Sequence, residues 1–411
     1  MVRELQPRLV LSIQLHPGAF VSVSPVSSNM MWLKNLTLLF ATFLITSASP
    51  LNETRPRSSC TVTSYTEVAN AVASCTDITI SGITVPAGEA LAMTLQDGST
   101  LTFDGYIKFD YSEWDGPLIH IKGNKLTVQG SSDHTLDGQG AKYWDGNGDS
   151  GKKKPKFFYI QATGGSVFKN INLLNCPKQC VAISDSDDLT LDYWTIDSSA
   201  GDELLVLQAL IPNLQLGRNT DGFDLSKATN IVVSNSQVKN QDDCVCINQG
   251  SNMKFSNLWC YGGHGLSLAV GQDKVSSAGN IVSNIEFADS YVINSRNGIH
   301  IKTQPDAATG SITNVVYKKY SVIRMGGITY YGINVEEDYV GTGPTGNPVG
   351  NIPIVGLTMS GITGTMTGEH SVPVYILCGD GGCSDWSWDS ISLTGNQQSS
   401  SCNYSPSGFS C

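Results

Sequence analysis

The sequence predicts an all-β chain wound as a single-stranded parallel β-helix, a solenoid in which each coil buries its apolar side against the next. Three observations predict it. Short runs rich in Val, Ile and Thr recur from about Ile78 to the end, punctuated by Asn, Gly and Asp, with little helical periodicity after a stretch around Tyr65 to Ala73. The 42 glycines, beside 40% apolar and 15% charged residues, describe a folded, turn-rich chain. Five similar segments then repeat at intervals that suit stacked coils.

Those segments open at Asp221, Asp243, His264, Asn297 and Tyr331, and each continues as a strand: Asp221-Gly222-Phe223-Asp224-Leu225, for example, and Asn297-Gly298-Ile299-His300-Ile301. The offsets are 22, 21, 33 and 34 residues, a period in the low twenties lengthened by loops. Second strands lie between them, such as Asn230-Ile231-Val232-Val233 and Asn314-Val315-Val316-Tyr317. A two-sheet antiparallel sandwich is the competing arrangement, because it too produces many short strands. One elongated solenoid domain accommodates 411 residues without a second core.

The ends and the charge set the compartment and the partners. Met30, Met31 and Lys34 precede an apolar stretch from Leu36 to Thr46, and Ser47-Ala48-Ser49 supplies small residues for cleavage, so residues 30–49 read as an export signal. Residues 1–29 fit no part of that signal and read as a spurious upstream extension. Residues 50–57, ending in Arg55-Pro56-Arg57, are either a propeptide or a linker, and the mature β-helix is expected over 58–411. No later apolar run is long enough for a membrane span. The expectation is therefore a secreted, monomeric protein with no membrane partner. Twenty-five basic against 36 acidic residues give a net charge of −11, and the basic residues are scattered, which argues against a nucleic-acid partner.

Eleven cysteines suit an oxidising compartment and leave at least one thiol unpaired. None is spaced for zinc: Cys244 and Cys246 are separated by a single residue, and no histidine pair completes a four-ligand set, so no metal or other cofactor is expected. Asn52 and Asn403 begin Asn-x-Ser/Thr sequons.

Neighbouring strands in such a stack lie about 4.8 Å apart, so residues one period apart share a face. Asp221 and the pair Asp242-Asp243 fall on adjacent coils, His264 on the next, then His300 with Lys302, then Tyr331. Three close carboxylates raise at least one pKa by repulsion, which keeps one as a general acid while others act as bases. Glycosidic cleavage needs that division of labour.

Four segments, Asn219-Thr220-Asp221-Gly222-Phe223-Asp224, Gln241-Asp242-Asp243-Cys244, Gly262-Gly263-His264-Gly265-Leu266-Ser267 and His300-Ile301-Lys302, resemble the four signatures of polygalacturonases, glycoside hydrolase family 28, in family order. The similarity runs from about Cys60 to Cys411 and is of the fungal endopolygalacturonase type. The resemblance implies a right-handed β-helix that hydrolyses α-1,4 links between galacturonates in demethylated pectin, with inversion and without a metal.

By the same resemblance, Asp242 is the general acid, Asp221 and Asp243 hold and deprotonate the attacking water, and His264 tunes the acid. Lys302 binds a galacturonate carboxylate, Tyr331 lines the sugar subsite, and Asn219 orients the neighbouring carboxylate. Lys302, Arg296 and protonated histidines are expected to form a cationic strip in an otherwise acidic protein, with an optimum between about pH 4 and 6. The resemblance also implies the disulfides Cys60–Cys75, Cys244–Cys260, Cys378–Cys383 and Cys402–Cys411.

Three features depart from the family pattern. His300 stands where the fourth signature carries arginine, and an imidazole cannot make a guanidinium's bidentate contact with a carboxylate. Arg296 lies nearby in sequence but is expected to point elsewhere. Residues 203–217 include the apolar run Leu204 to Ile211, which reads either as a lid-like helix or, preferred here, as a translated intron. Cys176, Cys180 and Cys246 are additional: the first two can bridge a turn, and Cys246, alternating with Cys244, is expected to point into the stack as a buried thiol.

A coil spacing near 5 Å between carboxylates suits retention under the general rule, whereas the resemblance implies inversion, which is preferred here. Internal cleavage is expected because no added domain closes the cleft. The rivals are a calcium-dependent pectate lyase, a rhamnogalacturonan hydrolase, and a catalytically inert pectin-binding protein.

Overall fold

A computed structural model describes residues 58–202, 216–318, 323–341, 343–395 and 397–411. The expected export signal, propeptide, upstream extension and Asn52 sequon lie outside the described residues, as does the 203–217 insertion apart from Leu216 and Gly217.

The chain forms a right-handed parallel β-helix. Among the described residues every ladder between named strands is parallel, which excludes the sandwich. The face that carries the sequence repeats runs in register through Phe223, Val245, Leu266, Ile299, Ile333 and Val374. The first four of those steps are the 22, 21, 33 and 34 residues of the repeat. Strands pack on neighbours above and below, so their inward residues form continuous apolar rows rather than isolated patches.

One such row is Phe255, Phe287 and Tyr317, whose rings stack at 4.8 Å and 4.8 Å, the spacing of the coils themselves. A second aromatic group, Phe103, Phe158, Trp194 and Phe223, meets edge to face at 5.3–6.1 Å. Burying each such ring contributes roughly 1.5–3 kcal/mol.

The corners are polar. Asn230, Asn252, Asn284 and Asn314 all have left-handed backbone, with φ of 55°, 57°, 57° and 54°. Asparagine tolerates that conformation better than most residues, and here its amide repays the strain. Each Nδ2 donates to the Oδ1 of the coil before, at 3.2, 3.0 and 3.1 Å, and Asn230 donates to Asp187 at 2.8 Å. Gly356, at φ 74°, takes the next place in the column.

The stack's ends are covered. A 3₁₀ turn, Tyr65–Glu67, and an α-helix, Val68–Ser74, cap the first coil, with Val68 and Ala71 buried beneath them. The helical pattern around Tyr65 to Ala73 corresponds to these two elements. At the other end Trp386 and Trp388 stack at 5.8 Å and are covered by Tyr404 and Phe409. The structure contains the four implied disulfides and a fifth, Cys176–Cys180, across a turn. Asn403 is exposed, with its amide paired to the main chain of Cys378.

Candidate active site

The repeat face carries a cleft of about 670 Å³, and it collects the residues that sequence reasoning placed there: Asn219, Asp221, Asp242, Asp243, His264, His300, Lys302 and Tyr331 all line it. Side chains alternate across a strand. Val245 and Ile247, Leu266 and Leu268, and Ile299 and Ile301 therefore fill the core, while the intervening Cys246 and His300 line the cleft, and Ser267, on the same face, is buried against Asp243.

The three carboxylates occupy different environments. Asp242 accepts on both oxygens: Oδ2 from the Asn219 N–H at 2.9 Å, and Oδ1 from the Asp243 N–H at 2.9 Å, with His264 Nδ1 3.1 Å from Oδ1. The Asn219 Nδ2 lies 3.5 Å away, and Asn219 is held in turn by the Asp149 N–H. Burial alone would raise the Asp242 carboxyl, but the His264 charge and hydrogen bond, Lys302 and the Asn219 N–H outweigh it and hold it well below the usual range. Asp221 is the opposite case. Burial, then repulsion from Asp242, Asp224 and Asp243, pushes its carboxyl well up, and its Oδ1 has no protein partner. Repulsion among three close carboxylates leaves one of them protonated. In the substrate-free cleft that carboxyl is Asp221, while Asp242 is the strong acid.

Asp243 accepts from Ser267 Oγ at 2.6 Å and is ion-paired to Lys302 Nζ at 2.9 Å, with both side chains buried. Burial would lower the Lys302 ammonium, yet Asp243, followed by Tyr339, raises it well above its ordinary value. Its other N–H donors remain for a ligand.

Three sequence expectations are corrected. His300 is no part of a cationic strip: burial, then the Lys302 charge, drives its imidazole well below the usual value. Arg296 does not point away but lines the cleft, its guanidinium 5.1 Å from the centre of the Tyr330 ring. Cys246 does not point into the stack. Cys244 lies just before the strand, where the chain bends to its disulfide with Cys260, so strict alternation cannot be carried from it; the Cys246 thiol faces the cleft near Asp221 and Asp243.

Sequence reasoning also missed residues. Tyr339 lines the cleft with Lys302 5.1 Å from its ring centre and His300 edge-on at 5.9 Å. Glu336 lies on the cleft floor, 2.7 Å from His300 Nε2. The signal for both was Glu336-Glu337-Asp338-Tyr339, three acids at the end of a strand whose six residues are all buried. Asp224 lines the cleft too, bonded to Asn248 and near Lys156. It was visible in the first motif but was given no role.

Two donor sets could ligate a cation: Asp221, Asp243 and Cys246, and Asp242, Asp243 and His264, each with its donor atoms within 4.8 Å of one another. A third set, Glu337 with Cys378 and Cys383, has its sulfurs tied in a disulfide.

The family model for glycosyl hydrolases family 28 matches residues 75–411. The chain belongs to that family. Among family relatives, a polygalacturonase of Phaedon cochleariae is 49% identical over 373 residues, covering 90% of this chain and 97% of its own. Endopolygalacturonase A of Aspergillus niger is 44% identical over 379 residues, 91% of this chain and 96% of its own. Among solved structures, endopolygalacturonase I of Stereum purpureum complexed with two galacturonates is 34% identical, with a TM-score of 0.69 over 83% of this chain and 96% of its own. The family 28 fold thus supplies the coil stack, and the cleft occupies the face that its repeats define.

Proposed function

We propose that this family 28 protein is a polygalacturonase that cleaves α-1,4-galacturonosidic bonds inside pectin by direct displacement with water. The observation that carries the reading is the meeting of Asp221, Asp242, Asp243, His264 and Lys302 in one cleft on a chain of this family.

Asp242 gives its proton to the leaving oxygen. In the free cleft its hydrogen bond with His264 supplies that proton, and a bound sugar ring removes water from the pair and raises the carboxyl toward a loaded state. Asp243, fixed by Lys302 and Ser267, takes a proton from the attacking water, and the unpartnered Oδ1 of Asp221 holds that water. Asn219 fixes the acid's orientation, and Lys302 directs its remaining N–H donors at a substrate carboxylate. Tyr331 and Tyr339 give the sugar an aromatic wall. Internal cleavage accords with the names of the Aspergillus and Stereum relatives. Five disulfides require an oxidising compartment, which supports export.

The test is incubation of the purified protein with polygalacturonate and a chelator near pH 5, inside the window expected of a carboxylate acid–base pair. Viscosity falling well ahead of reducing-end release is the expected result. Cleavage that needs calcium and yields an ultraviolet-absorbing uronide would identify a lyase instead. Absence of new ends with polymer binding retained would identify an inert binding protein.

A further inference from the structure

A galacturonan carries a carboxylate on every unit, so a cleft that selects it needs cations that the protein's own acids have not already taken. Four basic residues line this cleft: Lys156, Arg218, Arg296 and Lys302. Lys302 is ion-paired to Asp243 at 2.9 Å, and Lys156 stands 3.7 Å from Asp224. Among the described residues, Arg218 and Arg296 have no carboxylate partner. Of those two, Arg296 is the one laid on an aromatic ring, its guanidinium 5.1 Å from the centre of Tyr330. The proposed hydrolysis gives it no task.

The main chain holds Arg296 beside the acid. Its N–H donates to the Gly263 carbonyl at 2.8 Å, and its own carbonyl accepts from the Tyr330 N–H at 2.9 Å, so the residue is pinned to the coils before and after it. Gly263 directly precedes His264, whose Nδ1 lies 3.1 Å from Asp242 Oδ1. The side chain is braced as well. Tyr330 meets Tyr331 edge to face at 4.4 Å, and Tyr331 lies 5.2 Å from Tyr375, so the ring against the guanidinium is itself packed. Stacking restricts a long side chain before a ligand arrives, which lowers the entropy lost on binding, and it leaves the edge of the guanidinium, with its N–H donors, open to a carboxylate. The charge reaches into the cleft, where it acts on both His300 and Glu336. His300 cannot share the task, because burial keeps its imidazole neutral between Asn297 and Glu336.

We propose that Arg296, braced on Tyr330, grips the carboxylate of the galacturonosyl unit on the leaving-group side of the scissile bond and makes the cleft selective there for a uronate over a neutral galactose unit. Asp242 delivers its proton to the leaving oxygen, and Arg296 is the uncommitted cation next to the Asp242–His264 pair. Lys302, fixed to Asp243, meets a carboxylate as a point charge, whereas a guanidinium makes two parallel hydrogen bonds to it. This rests on the polygalacturonase reading above and says how that cleft selects its substrate.

The experiment is calorimetry on Asp242→Asn, which prevents turnover, with trigalacturonate and with the same trimer whose carboxyl groups have been reduced to alcohols. The acid is expected to bind about 30-fold more tightly or better, and adding Arg296→Gln to weaken the acid about tenfold while leaving the reduced trimer within about twofold. A merely structural role would weaken both trimers alike, and that result overturns the proposal. So does an advantage for the acid that Arg296→Gln leaves intact, or no advantage for the acid before Arg296 is changed. Arg296→Lys keeps the charge without the planar fork and is expected to recover part of the loss; where Arg296→Gln fails to fold, acid binding undiminished in Arg296→Lys overturns the proposal instead. In kinetics on polygalacturonate, Arg296→Gln is expected to raise KM about tenfold and to lower kcat less than about threefold. If the native protein does not cut polygalacturonate, the polygalacturonase reading has failed, and the calorimetric comparison alone decides the role of Arg296.

Discussion

Two columns of polar residues climb this β-helix, and they are built by the same rule to opposite ends. At one corner, Asn230, Asn252, Asn284 and Asn314 repeat one side chain on successive coils, and each amide satisfies the next. On the cleft face the register places Asp224, Cys246, Ser267, His300 and Asn334 side by side, no two alike, beside Asp221 and the Asp242-Asp243 pair. The first column closes on itself. The second leaves Asp221 Oδ1, Asn297 Oδ1 and Asn334 Oδ1 without protein partners and forces three carboxylates together. Stacking therefore amplifies whatever residue it is given: a repeated amide becomes a stabilising ladder, and a varied row becomes a reactive site held at the fold's expense.

The comparison breaks most sharply at the acid. Asp242→Asn is expected to lower kcat about 10³-fold, measured by reducing-end release, and to lower the thermal midpoint as well, because the fold holds the ionised Asp242 carboxylate with His264 and two backbone N–H donors. Next is Lys302→Met, which strands a buried Asp243. We expect about 3 kcal/mol of lost stability in denaturant unfolding, together with a large fall in kcat/KM. Asn252→Ala reverses the pattern: it removes two ladder bonds and puts alanine at a left-handed position, so stability falls by about 1–2 kcal/mol while kcat/KM moves less than about twofold.

The smallest effect concerns pH. Burial raises both the Glu336 and the Glu337 carboxyl to about 7 from 4.5. A carboxyl raised in the folded state binds more protons than in the unfolded chain between those values, so stability falls as pH climbs from 4.5 through 7 and levels off above. Glu337→Gln should flatten part of that slope in thermal melts across the range. A slope that Glu337→Gln leaves intact would place the titration elsewhere.

The legible parts of the molecule are those that the stacking repeats. The intervals between Asp221, Asp243, His264, Asn297 and Tyr331 are the coil register itself, because a loop inserted between coils changes the interval but not which residues meet. That is why Asn219, Asp221, Asp242, Asp243, His264 and Lys302 could be brought to one face from spacing and motif. What escaped depends on features that spacing does not encode. Cys246 was misplaced because the alternation restarts where a strand begins, and Cys244 stands just before it. Arg296 was sent away from the cleft because a turn hides side-chain direction, whereas stacking on Tyr330 brings it in. Tyr339 lies past the end of its strand, and only the loop that carries it back over Lys302 gives it a role. The split between Asp221 and Asp242 was out of reach as well, since it arises from burial, from the His264 charge beside Asp242 and from which oxygens already have hydrogen-bond donors.

The central claim is that Asp221 and Asp243 hold a water for direct attack, opposite an acid at Asp242. Carboxylates on adjacent coils are close enough to suggest a covalent route instead, since Asp221 and Asp243 present oxygens within 4.8 Å of each other. Proton NMR of the first sugar released from the α-linked polymer distinguishes the two within one turnover phase. The account predicts the β-anomer first, with α appearing only as the product mutarotates; α-anomer from the outset would mean a glycosyl-enzyme intermediate and would contradict it.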